Sequence, residues 1–363
     1  MATSSLARRT PSTRCRAGPA PVARLASRLS TGMRTCWTPV CAFRRQAMPR
    51  PIVTAAASKA APGDCLELFS PSKVNIFLRI IRRREDGYHD LASLFHVIDL
   101  GDQMSFELLT RDATEDLLTC NMEGVPTDSS NLVIKALDLY RSKTGTNQHF
   151  RVHLEKTVPH GAGLGGGSAN AATALFAANS MNGMSVSEEE LLKWGGEIGS
   201  DISVFFSKGA AYCTGRGEIV EDVQPPLPLD MPILLVKPPI GLSTPQIFKA
   251  LDLDRRSTAD PLDLLKGLAD GSACTPQLCV NDLEQPAFDT LPELLALKER
   301  LIQEGGDNYS VVFMTGSGST IVAIGDDTPP AFLSEPDYKD MFVAPTRLIT
   351  RERDEWYTPS LVR

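Results

Sequence analysis

The feature that most limits how this chain can fold is a run of glycines leading directly into an alanine-rich segment. Residues 159–170 read Pro-His-Gly-Ala-Gly-Leu-Gly-Gly-Gly-Ser-Ala-Asn, and residues 171–178 read Ala-Ala-Thr-Ala-Leu-Phe-Ala-Ala. The pattern predicts a glycine loop that opens a helix. Backbone N–H groups free of side chains and the positive end of a helix dipole then converge on one point. The segment therefore predicts a phosphate-binding loop.

Three other interpretations of this segment are weaker. A flexible glycine linker would rarely abut helix formers. The segment satisfies the dinucleotide fingerprint G-x-G-x-x-G, but that motif needs a buried strand before it and an acidic ribose ligand about 20 residues later. Residues 150–156 instead alternate apolar and polar, as in a half-exposed strand, and Ser187 with Glu190 predicts a helix cap. No Gly-Lys-Ser/Thr follows, which excludes a Walker A loop.

The charge distribution divides the chain near residue 63. Residues 1–63 contain ten Arg, one Lys and no Asp or Glu, with abundant Ser, Thr and Ala. This composition is typical of an organellar transit peptide, and the segment lacks the apolar core of a secretory signal. A basic arm for nucleic acid or membrane is the alternative, but such arms cluster their Lys and Arg. We predict a disordered or cleaved transit peptide, with the functional chain starting near residues 58–64.

The rest of the chain is acidic, because it carries 26 of the 37 basic residues and all 44 acidic ones, a net charge of −18. Such a charge argues against a nucleic-acid partner. No apolar run approaches the length of a membrane span. The cysteines and the five histidines show no metal-ligand spacing. We therefore predict reduced cysteines and no transition-metal site built from protein alone.

The order of predicted elements indicates an α+β fold in two domains. Strand and helix patterns alternate from about residue 64, and the proline-rich residues 224–229 interrupt them. We predict domains at 64–228 and 229–363.

Within the second domain, residues 231–236 predict a buried strand. Residues 311–314 and 320–324 predict two strands around a glycine turn. A helix is predicted from Thr290 through Arg300, opened by a capping box and followed by a stop signal at the glycines 305–306. The last dozen residues are charged, and we expect them to fray.

The first strand of the acidic part carries two polar residues. Residues 71–80 read Pro-Ser-Lys-Val-Asn-Ile-Phe-Leu-Arg-Ile. Period 2 predicts one buried face, made of Val74, Ile76, Leu78 and Ile80. Lys73 and Asn75 then share the opposite face. A strand lysine is commonly an exposed edge residue, so its neighbours decide what it does.

A turn after this strand carries an aromatic residue and a histidine. Asp86-Gly87 is a turn signal that returns Tyr88 and His89 to the strand. An aromatic ring beside an imidazole suits a planar heterocycle, which the ring stacks on and the imidazole hydrogen-bonds. The alternative is a tyrosine that packs on the core and a surface histidine.

A third segment supplies a carboxylate. Ser200 is predicted to cap a helix whose first turn holds Asp201, where the helix dipole favours an ionised carboxylate. Should Lys73 approach it, the pair could take a proton from a substrate hydroxyl. Phosphoryl transfer needs only a mild base, since its transition state is loose. The Ser168 hydroxyl is then available to a phosphate or to Mg²⁺.

Taken together these motifs resemble the GHMP superfamily of small-molecule kinases. The closer resemblance is to its members that act on a cytidine-diphosphate-linked methylerythritol, and it covers essentially the whole acidic part of the chain. The most specific motifs are residues 71–78, 83–89, 161–170, 199–201, 281–284 and 315–318. The Asp86–His89 cluster separates this branch from mevalonate, homoserine and galactose kinases, whose substrates have no cytosine.

The resemblance implies a role for individual positions. Lys73 and Asp201 match the catalytic pair. The substrate side is matched by Asn75, Tyr88, His89 and Thr244. The nucleotide side is matched by Asn131, Lys156, Pro159, Gly161, Ala162, Gly163, Leu164, Gly165, Gly166, Gly167 and Ser168. The turn of Gly316, Ser317 and Gly318 is placed near the active site between the domains, although the same residues are compatible with a plain hairpin.

The resemblance also implies a fold and a reaction. The fold is a two-domain one, with an N-terminal domain like domain 2 of ribosomal protein S5 and a ferredoxin-like C-terminal domain. The reaction transfers a phosphoryl group from ATP, with Mg²⁺, to the 2-hydroxyl of the substrate in the methylerythritol phosphate route to isoprenoid precursors. That pathway implies the plastid stroma. We expect a monomer or homodimer with a small-molecule substrate and neither nucleic acid nor membrane as partner.

Some positions depart from the family pattern. Ser72 stands where alanine is usual, Ala169 where a second serine is usual, and Ser203 where proline is usual. The missing second serine would remove one hydrogen bond to phosphate, worth about 1 kcal/mol. Another GHMP kinase or a ligand-binding relative without turnover remains an alternative, although the presence of both Lys73 and Asp201 argues against the latter.

Overall fold

The computed structural model describes residues 63–270 and 274–359. The predicted transit peptide lies outside the described residues except for its last residue, Gly63. Within the described residues, ten strands form two sheets and seven α-helices pack on them. The predicted α+β class is confirmed.

The strands are β1 (Cys65–Arg83), β2 (His89–Leu108), β3 (Leu117–Cys120), β4 (Phe150–Glu155), β5 (Ala210–Gly215), β6 (Ile219–Asp222), β7 (Ile233–Lys237), β8 (Val311–Met314), β9 (Ile321–Ile324) and β10 (Phe342–Thr346). The helices are α1 (Leu132–Thr144), α2 (Gly166–Met181), α3 (Glu188–Ile198), α4 (Thr244–Ala250), α5 (Pro261–Ala269), α6 (Glu284–Thr290) and α7 (Pro292–Gly305).

The first sheet is organised around the long strand β2. One part of β2 pairs with β5 and the other part with β4, while β1 runs antiparallel to β2 along its length. Strand β3 adds in parallel to β4, and β6 adds antiparallel to β5. Strand β4 alternates between buried and exposed residues, as predicted for a half-exposed strand. Helices α1, α2 and α3 cover one face of this sheet.

Strand β1 is buried on both faces, from Leu68 through Ile80. A register shift between Asn75 and Phe77 inserts a β-bulge at Ile76. Because of the bulge, Phe77 joins Val74 and Ile76 in one core cluster, whereas Leu78 and Ile80 belong to another. All four predicted residues are buried, but the prediction of a single face is wrong, since alternation assumes an unbroken strand.

The helix caps of the first sheet follow the sequence. The Ser187 hydroxyl accepts a hydrogen bond from the Glu190 backbone N–H at the start of α3, as predicted. The Asn131 side chain caps α1 in the same way by accepting from the Val133 N–H. Helix α2 begins after Gly165 and is buried continuously from Ala169 to Asn179.

The second sheet has the order β10-β7-β9-β8 and is antiparallel throughout. Strand β7 and the β8–β9 hairpin confirm three predicted strands. The predicted Thr290 cap is wrong, because Thr290 is the last residue of α6 and its hydroxyl donates to the Pro286 carbonyl. Helix α7 begins instead at Pro292.

The two sheets share a core. Val74 and Leu94 of the first sheet pack in one cluster with Ile233 and Val322 of the second. The predicted boundary near residue 228 falls in the segment between β6 and β7. None of the helices in the described ranges is both long and apolar enough to span a bilayer.

The described part of the C-terminal tail returns to the first sheet and is packed there. Trp356 stacks on Phe176 of α2 with ring centroids 4.6 Å apart, and its indole N–H donates to the Phe69 carbonyl at 2.9 Å. Tyr357 is 2% exposed and donates to the Ser207 carbonyl. The predicted fraying is therefore wrong for these residues, because the two aromatic side chains are buried in the core of the first sheet.

Candidate active site

A cavity of 1260 Å³ opens between the glycine loop, the β1–β2 turn, helix α4 and the glycine turn between β8 and β9. Pockets for a single small ligand usually measure about 300–1,000 Å³, so this cavity is larger than that usual range. Its lining includes every predicted nucleotide-side and substrate-side residue. Of the predicted turn, Gly316 and Ser317 line the cavity and Gly318 does not. Residues that were predicted from separate sequence motifs therefore line one cavity.

The glycine loop has the geometry of an anion cradle. Gly161, Gly163 and Gly165 all adopt positive φ angles, between 63° and 74°, which other residues adopt only with strain. The first turn of α2 starts at Gly166, and its leading backbone N–H groups have no partner within the helix. Gly166, Gly167 and Ser168 line the cavity, as predicted for a helix N-terminus that opens onto a binding site.

The loop lies directly against the glycine turn between β8 and β9. A Cβ on Gly163 would lie 2.6 Å from the Thr315 carbonyl oxygen, and one on Gly316 would lie 2.9 Å from the Gly163 carbonyl oxygen. Neither position has space for a side chain. The Thr320 hydroxyl also donates to the Ala162 carbonyl at 2.7 Å. The turn therefore supports the phosphate loop, which a plain hairpin would not do.

Lys73 lies beneath the loop with three acceptors around its ammonium group. Its Nζ is 2.8 Å from Asn75 Oδ1, 2.9 Å from the Gly163 carbonyl oxygen and 3.3 Å from Asp201 Oδ2. Three acceptors match the three N–H donors of an ammonium. Only 3% of the Lys73 side chain is exposed, against 40% for Asp201. The predicted approach of Lys73 to Asp201 is thus confirmed.

Asp201 is held differently from the prediction. Helix α3 ends at Ile198, Asp201 lies in a tight turn, and only a short 3-10 turn follows from Ser203 to Phe206. No helix begins at Ser200, so its predicted capping role and the dipole argument for Asp201 are both wrong. The positive charge beside the carboxylate comes instead from Lys73, 128 positions earlier in the chain.

Lys156 follows β4 and belongs to a buried network behind the loop. Its Nζ lies 2.6 Å from Asp102 Oδ2 and 3.3 Å from Asn170 Oδ1. The Asp102 carboxylate is fully buried and also accepts from the Asn170 amide and from the backbone N–H groups of Thr157 and Val158. A Cβ on Gly166 would be 3.3 Å from Lys156 Nζ. The glycine loop contains no lysine, but Lys156 lies against helix α2, which follows the loop.

The structure changes the interpretation of two further positions, Asn131 and Ala169. Both polar atoms of the Asn131 side chain are engaged, by Val133 N–H and by the Pro126 carbonyl, so it shapes the cavity wall as a helix cap. Ala169 is fully buried in the core under α2. A serine hydroxyl at Ala169 would face that core, so the expected loss of a phosphate hydrogen bond is wrong.

Another wall of the cavity carries the predicted aromatic residue and histidine, Tyr88 and His89. Tyr88 is 59% exposed, and the His89 ring lies 5.4 Å from that of Phe248 on α4. Desolvation, and secondarily the charge of Arg83, lowers the pKa of His89 below its usual value. The Arg216 guanidinium lies 5.4 Å from the Tyr88 ring centroid. Sequence reasoning missed Phe248 and Arg216, which carry no local motif.

Thr244 opens α4 at the same wall. Its hydroxyl lies 2.7 Å from that of Ser317 in the glycine turn. One residue from the substrate side and one from the turn are thus joined directly.

The motif at 281–284, to which the sequence assigned no role, ties the turn to the first sheet. The Asn281 amide donates to the carbonyls of Met314 and Gly316 at 2.7 and 2.8 Å. Asp282 forms a buried ion pair with Arg79 of β1, at 3.0 Å. Polar contacts from residues 281–282 therefore fix the position of the glycine turn relative to β1.

Comparison with known proteins agrees with this geometry. The family model "GHMP kinases N terminal domain" matches residues 131–209, and "GHMP kinases C terminal" matches residues 263–335. The chain is 55% identical over 300 residues to a protein of Arabidopsis thaliana named "4-diphosphocytidyl-2-C-methyl-D-erythritol kinase, chloroplastic", covering 82% of this chain and 78% of that one.

Two solved structures show the same fold. A crystal structure of 4-(cytidine 5'-diphospho)-2C-methyl-D-erythritol kinase aligns with a TM-score of 0.62 at 29% identity, covering 79% of this chain and 100% of that one. A homoserine kinase from Cytophaga hutchinsonii aligns with the same TM-score at 16% identity, covering 81% and 97%. Since equal structural likeness joins enzymes with different substrates, the fold alone does not select the substrate.

Proposed function

The chain belongs to the 4-diphosphocytidyl-2-C-methyl-D-erythritol kinase family of GHMP kinases, and we propose from that membership how its cavity performs the reaction. The protein is an ATP-dependent small-molecule kinase. It phosphorylates the 2-hydroxyl of 4-diphosphocytidyl-2-C-methyl-D-erythritol and releases ADP, in the methylerythritol phosphate pathway. The observation that carries the proposal is the Lys73–Asp201 pair, which opens into the cavity between the phosphate loop and the Tyr88–His89 wall.

On the nucleotide side, the backbone N–H groups at the start of α2 hold the ATP phosphates. Gly163 and Gly165 give the loop its positive φ angles, and Cβ atoms at these positions would clash with the Thr315 carbonyl oxygen and the Lys73 side chain. Asn131 and Lys156 line the same side of the cavity. Preorganised donors of this kind stabilise the charge that develops during transfer, because they need not reorient at the moment of reaction.

At the reacting atoms, Asp201 accepts the proton of the substrate 2-hydroxyl. The hydroxyl oxygen forms a bond to the γ-phosphorus while the bond from that phosphorus to the β,γ-bridging oxygen breaks, and ADP leaves. Lys73 keeps the carboxylate in place and neutralises charge beside the transferred group. A base as weak as a carboxylate suffices, since little deprotonation is needed early in a loose transition state.

On the substrate side, the Tyr88 ring and the His89 imidazole recognise cytosine, by stacking and by hydrogen bonding to the base edge. Phe248 adds a second aromatic surface beside His89. The lowered pKa of His89 favours its neutral imidazole, which can both donate and accept. Asn75 and Thr244 complete this side of the cavity.

The residues present suit Mg²⁺ that arrives with ATP. In residues 63–270 and 274–359, no group of three or more His, Cys, Asp or Glu side chains could form a metal site. Mg²⁺ commonly keeps several waters and is bound by substrate phosphates with one or two protein oxygens. The Ser168 hydroxyl in the first turn of α2 would supply such an oxygen. The ion would neutralise negative charge on the phosphates.

We place the enzyme in the plastid stroma, since its Arabidopsis relative is named chloroplastic and residues 1–63 have the composition of a transit peptide. Mass spectrometry of the N-terminus of the protein from the organism would test this. Retention of Met1 through Arg50 would contradict it. Its partner in the reaction is a small molecule, and a monomer or homodimer stays our prediction for its assembly.

The purified full chain with ATP, Mg²⁺ and the cytidylylated substrate tests the reaction. We expect ADP release in a coupled assay and a new phosphate monoester on the 2-oxygen by phosphorus NMR. Mevalonate and homoserine serve as comparison substrates. Turnover of either one without turnover of the cytidine compound would indicate a different GHMP kinase, and no turnover of any would indicate a ligand-binding relative.

A further inference from the structure

Ser93 is a buried hydroxyl that touches neither cavity nor solvent, yet it contacts the catalytic strand. It lies on β2 opposite Leu78 of β1 and is fully buried. Its Oγ lies 2.6 Å from the Phe77 carbonyl oxygen and 2.8 Å from Asn75 Nδ2. These two contacts reach β1 on either side of the bulge at Ile76.

The chemistry of the three groups determines the direction of each hydrogen bond. The Phe77 carbonyl can only accept, so the single hydroxyl proton of Ser93 goes to it. Ser93 Oγ is then an acceptor toward Asn75, which must present its NH₂ group. The amide oxygen of Asn75 consequently points the other way, toward Lys73 Nζ at 2.8 Å.

This orientation matters for Lys73. An Asn75 amide turned by 180° would place its NH₂ group against the ammonium, donor facing donor. Lys73 would then keep only the Gly163 carbonyl and Asp201 as acceptors. An ammonium with one acceptor missing is no longer held at a single point between the loop and Asp201.

From this relay we propose that Ser93 is a positioning residue for phosphoryl transfer, which orients the Asn75 amide so that its oxygen holds Lys73 against Asp201. The inference rests on the proposed function, since it assigns Lys73 to the reaction. Ser93 acts through Asn75, because no part of it reaches the cavity.

The first test compares two buried serines of the first sheet, of which only Ser93 contacts Asn75. Ser72 is also fully buried in the first sheet, and its hydroxyl donates to the Leu100 carbonyl at 2.6 Å. Ser72→Ala and Ser93→Ala each remove one buried hydroxyl. We expect both variants to lose stability, Ser93→Ala more because it leaves two buried partners unpaired, whereas only Ser93→Ala lowers kcat, by about tenfold, with KM for ATP unchanged.

The second test asks whether Ser93 acts through Asn75. In an Asn75→Ala background the relay is already broken, so adding Ser93→Ala should leave kcat where Asn75→Ala puts it. Ser93→Thr keeps the hydroxyl and should restore kcat to near the wild-type value. Ser93→Cys keeps the volume with a weaker donor, should give an intermediate kcat, and carries the comparison should Ser93→Ala fail to fold.

The outcomes separate this inference from the proposed function. A wild-type chain that releases no ADP contradicts the proposed function itself. An active wild type in which Ser93→Ala behaves like Ser72→Ala overturns the role of Ser93 alone. The same follows if Ser93→Ala lowers kcat by an equal factor with and without Asn75, because the hydroxyl would then act by another route.

Discussion

Two lysine–aspartate pairs flank the phosphate loop, and they are built in opposite ways. Lys73 and Asp201 are 3.3 Å apart, and the carboxylate is 40% exposed with the cavity in front of it. Lys156 and Asp102 are 2.6 Å apart, and that carboxylate is fully buried and accepts from four donors. In the first pair it is the lysine, Lys73, whose hydrogen-bonding capacity is filled. In the second pair it is the aspartate, Asp102.

The difference indicates which carboxylate can react. A carboxylate whose oxygens are saturated by donors in a closed core has no lone pair left for a substrate proton. A carboxylate with one lysine beside it and the cavity in front retains acceptor capacity. We infer that the pair at Asp102 maintains the scaffold of the loop, whereas the pair at Asp201 performs the chemistry.

The largest effect is expected from Asp201→Asn. The amide cannot take the proton of the substrate hydroxyl, so we expect kcat to fall by about 10³-fold, within the range of general-base catalysis. KM values should change little, and the free energy of unfolding should fall less than at Asp102, since the Asp201 side chain is 40% exposed and the amide oxygen of Asn still accepts from Lys73. Steady-state kinetics and urea unfolding measure both. Nearly normal turnover would remove Asp201 from the proposed chemistry.

The same substitution at the other pair should have the opposite outcome. Asp102→Asn places an NH₂ group against existing donors, either at Lys156 and Asn170 or at the two backbone N–H groups. We expect the free energy of unfolding to fall by about 3 kcal/mol, as when a buried ion pair is broken.

Turnover per folded molecule of Asp102→Asn, measured at low temperature, should stay near wild type. A large kcat loss with unchanged stability would show that the two pairs do not divide their tasks as we infer.

Acid should weaken the scaffold through a histidine outside the cavity. Burial lowers the pKa of His96 to about 4, and its Nε2 has no hydrogen-bond partner among the described residues. The unfolded chain binds the proton near pH 6.5 and the folded chain does not, so stability is lost as the pH falls below 6.5.

From pH 7 to pH 5 this histidine should cost about 2 kcal/mol of unfolding free energy. His96→Gln, which cannot be charged, should show a correspondingly smaller decrease by urea unfolding at the two pH values. An identical decrease in the variant would assign the acid sensitivity to other groups.

The smallest effect is expected on the substrate wall. His89→Ala removes one hydrogen bond to the base, so KM for the cytidine substrate should rise by about tenfold, while KM for ATP stays constant. Stability should be unaffected, because His89 lies at the edge of the cavity. A rise in KM for ATP instead would place the histidine on the nucleotide side.

Some parts of this site could be predicted because they depend on a few consecutive residues. The glycine loop followed by alanines, the Asp86-Gly87 turn and the Ser187 cap all express backbone freedom or short-range hydrogen bonding. For the same reason strand β4 kept its alternating pattern.

Other parts could not be predicted, because long-range packing overrode the local pattern. The bulge at Ile76 places Phe77 on a different face from the one that strict alternation predicts. Thr290 is the last residue of α6 and does not cap α7 as expected. Trp356 packs on Phe176, although its charged neighbours suggested a chain end exposed to solvent. Ser200 satisfied the cap composition, yet the chain turned into a short 3-10 segment instead.

By itself the sequence determined the chemical inventory of this protein: a phosphate loop, a lysine strand, an aromatic and histidine turn, and a carboxylate. Only the tertiary structure decided how the members pair. It joined Lys73 to Asp201, closed Asp102 in the core and placed Ser93 behind Asn75. The physical reason is that conformational preference acts over a few residues, whereas a pairing across the fold depends on sheet register and on which groups lose contact with water.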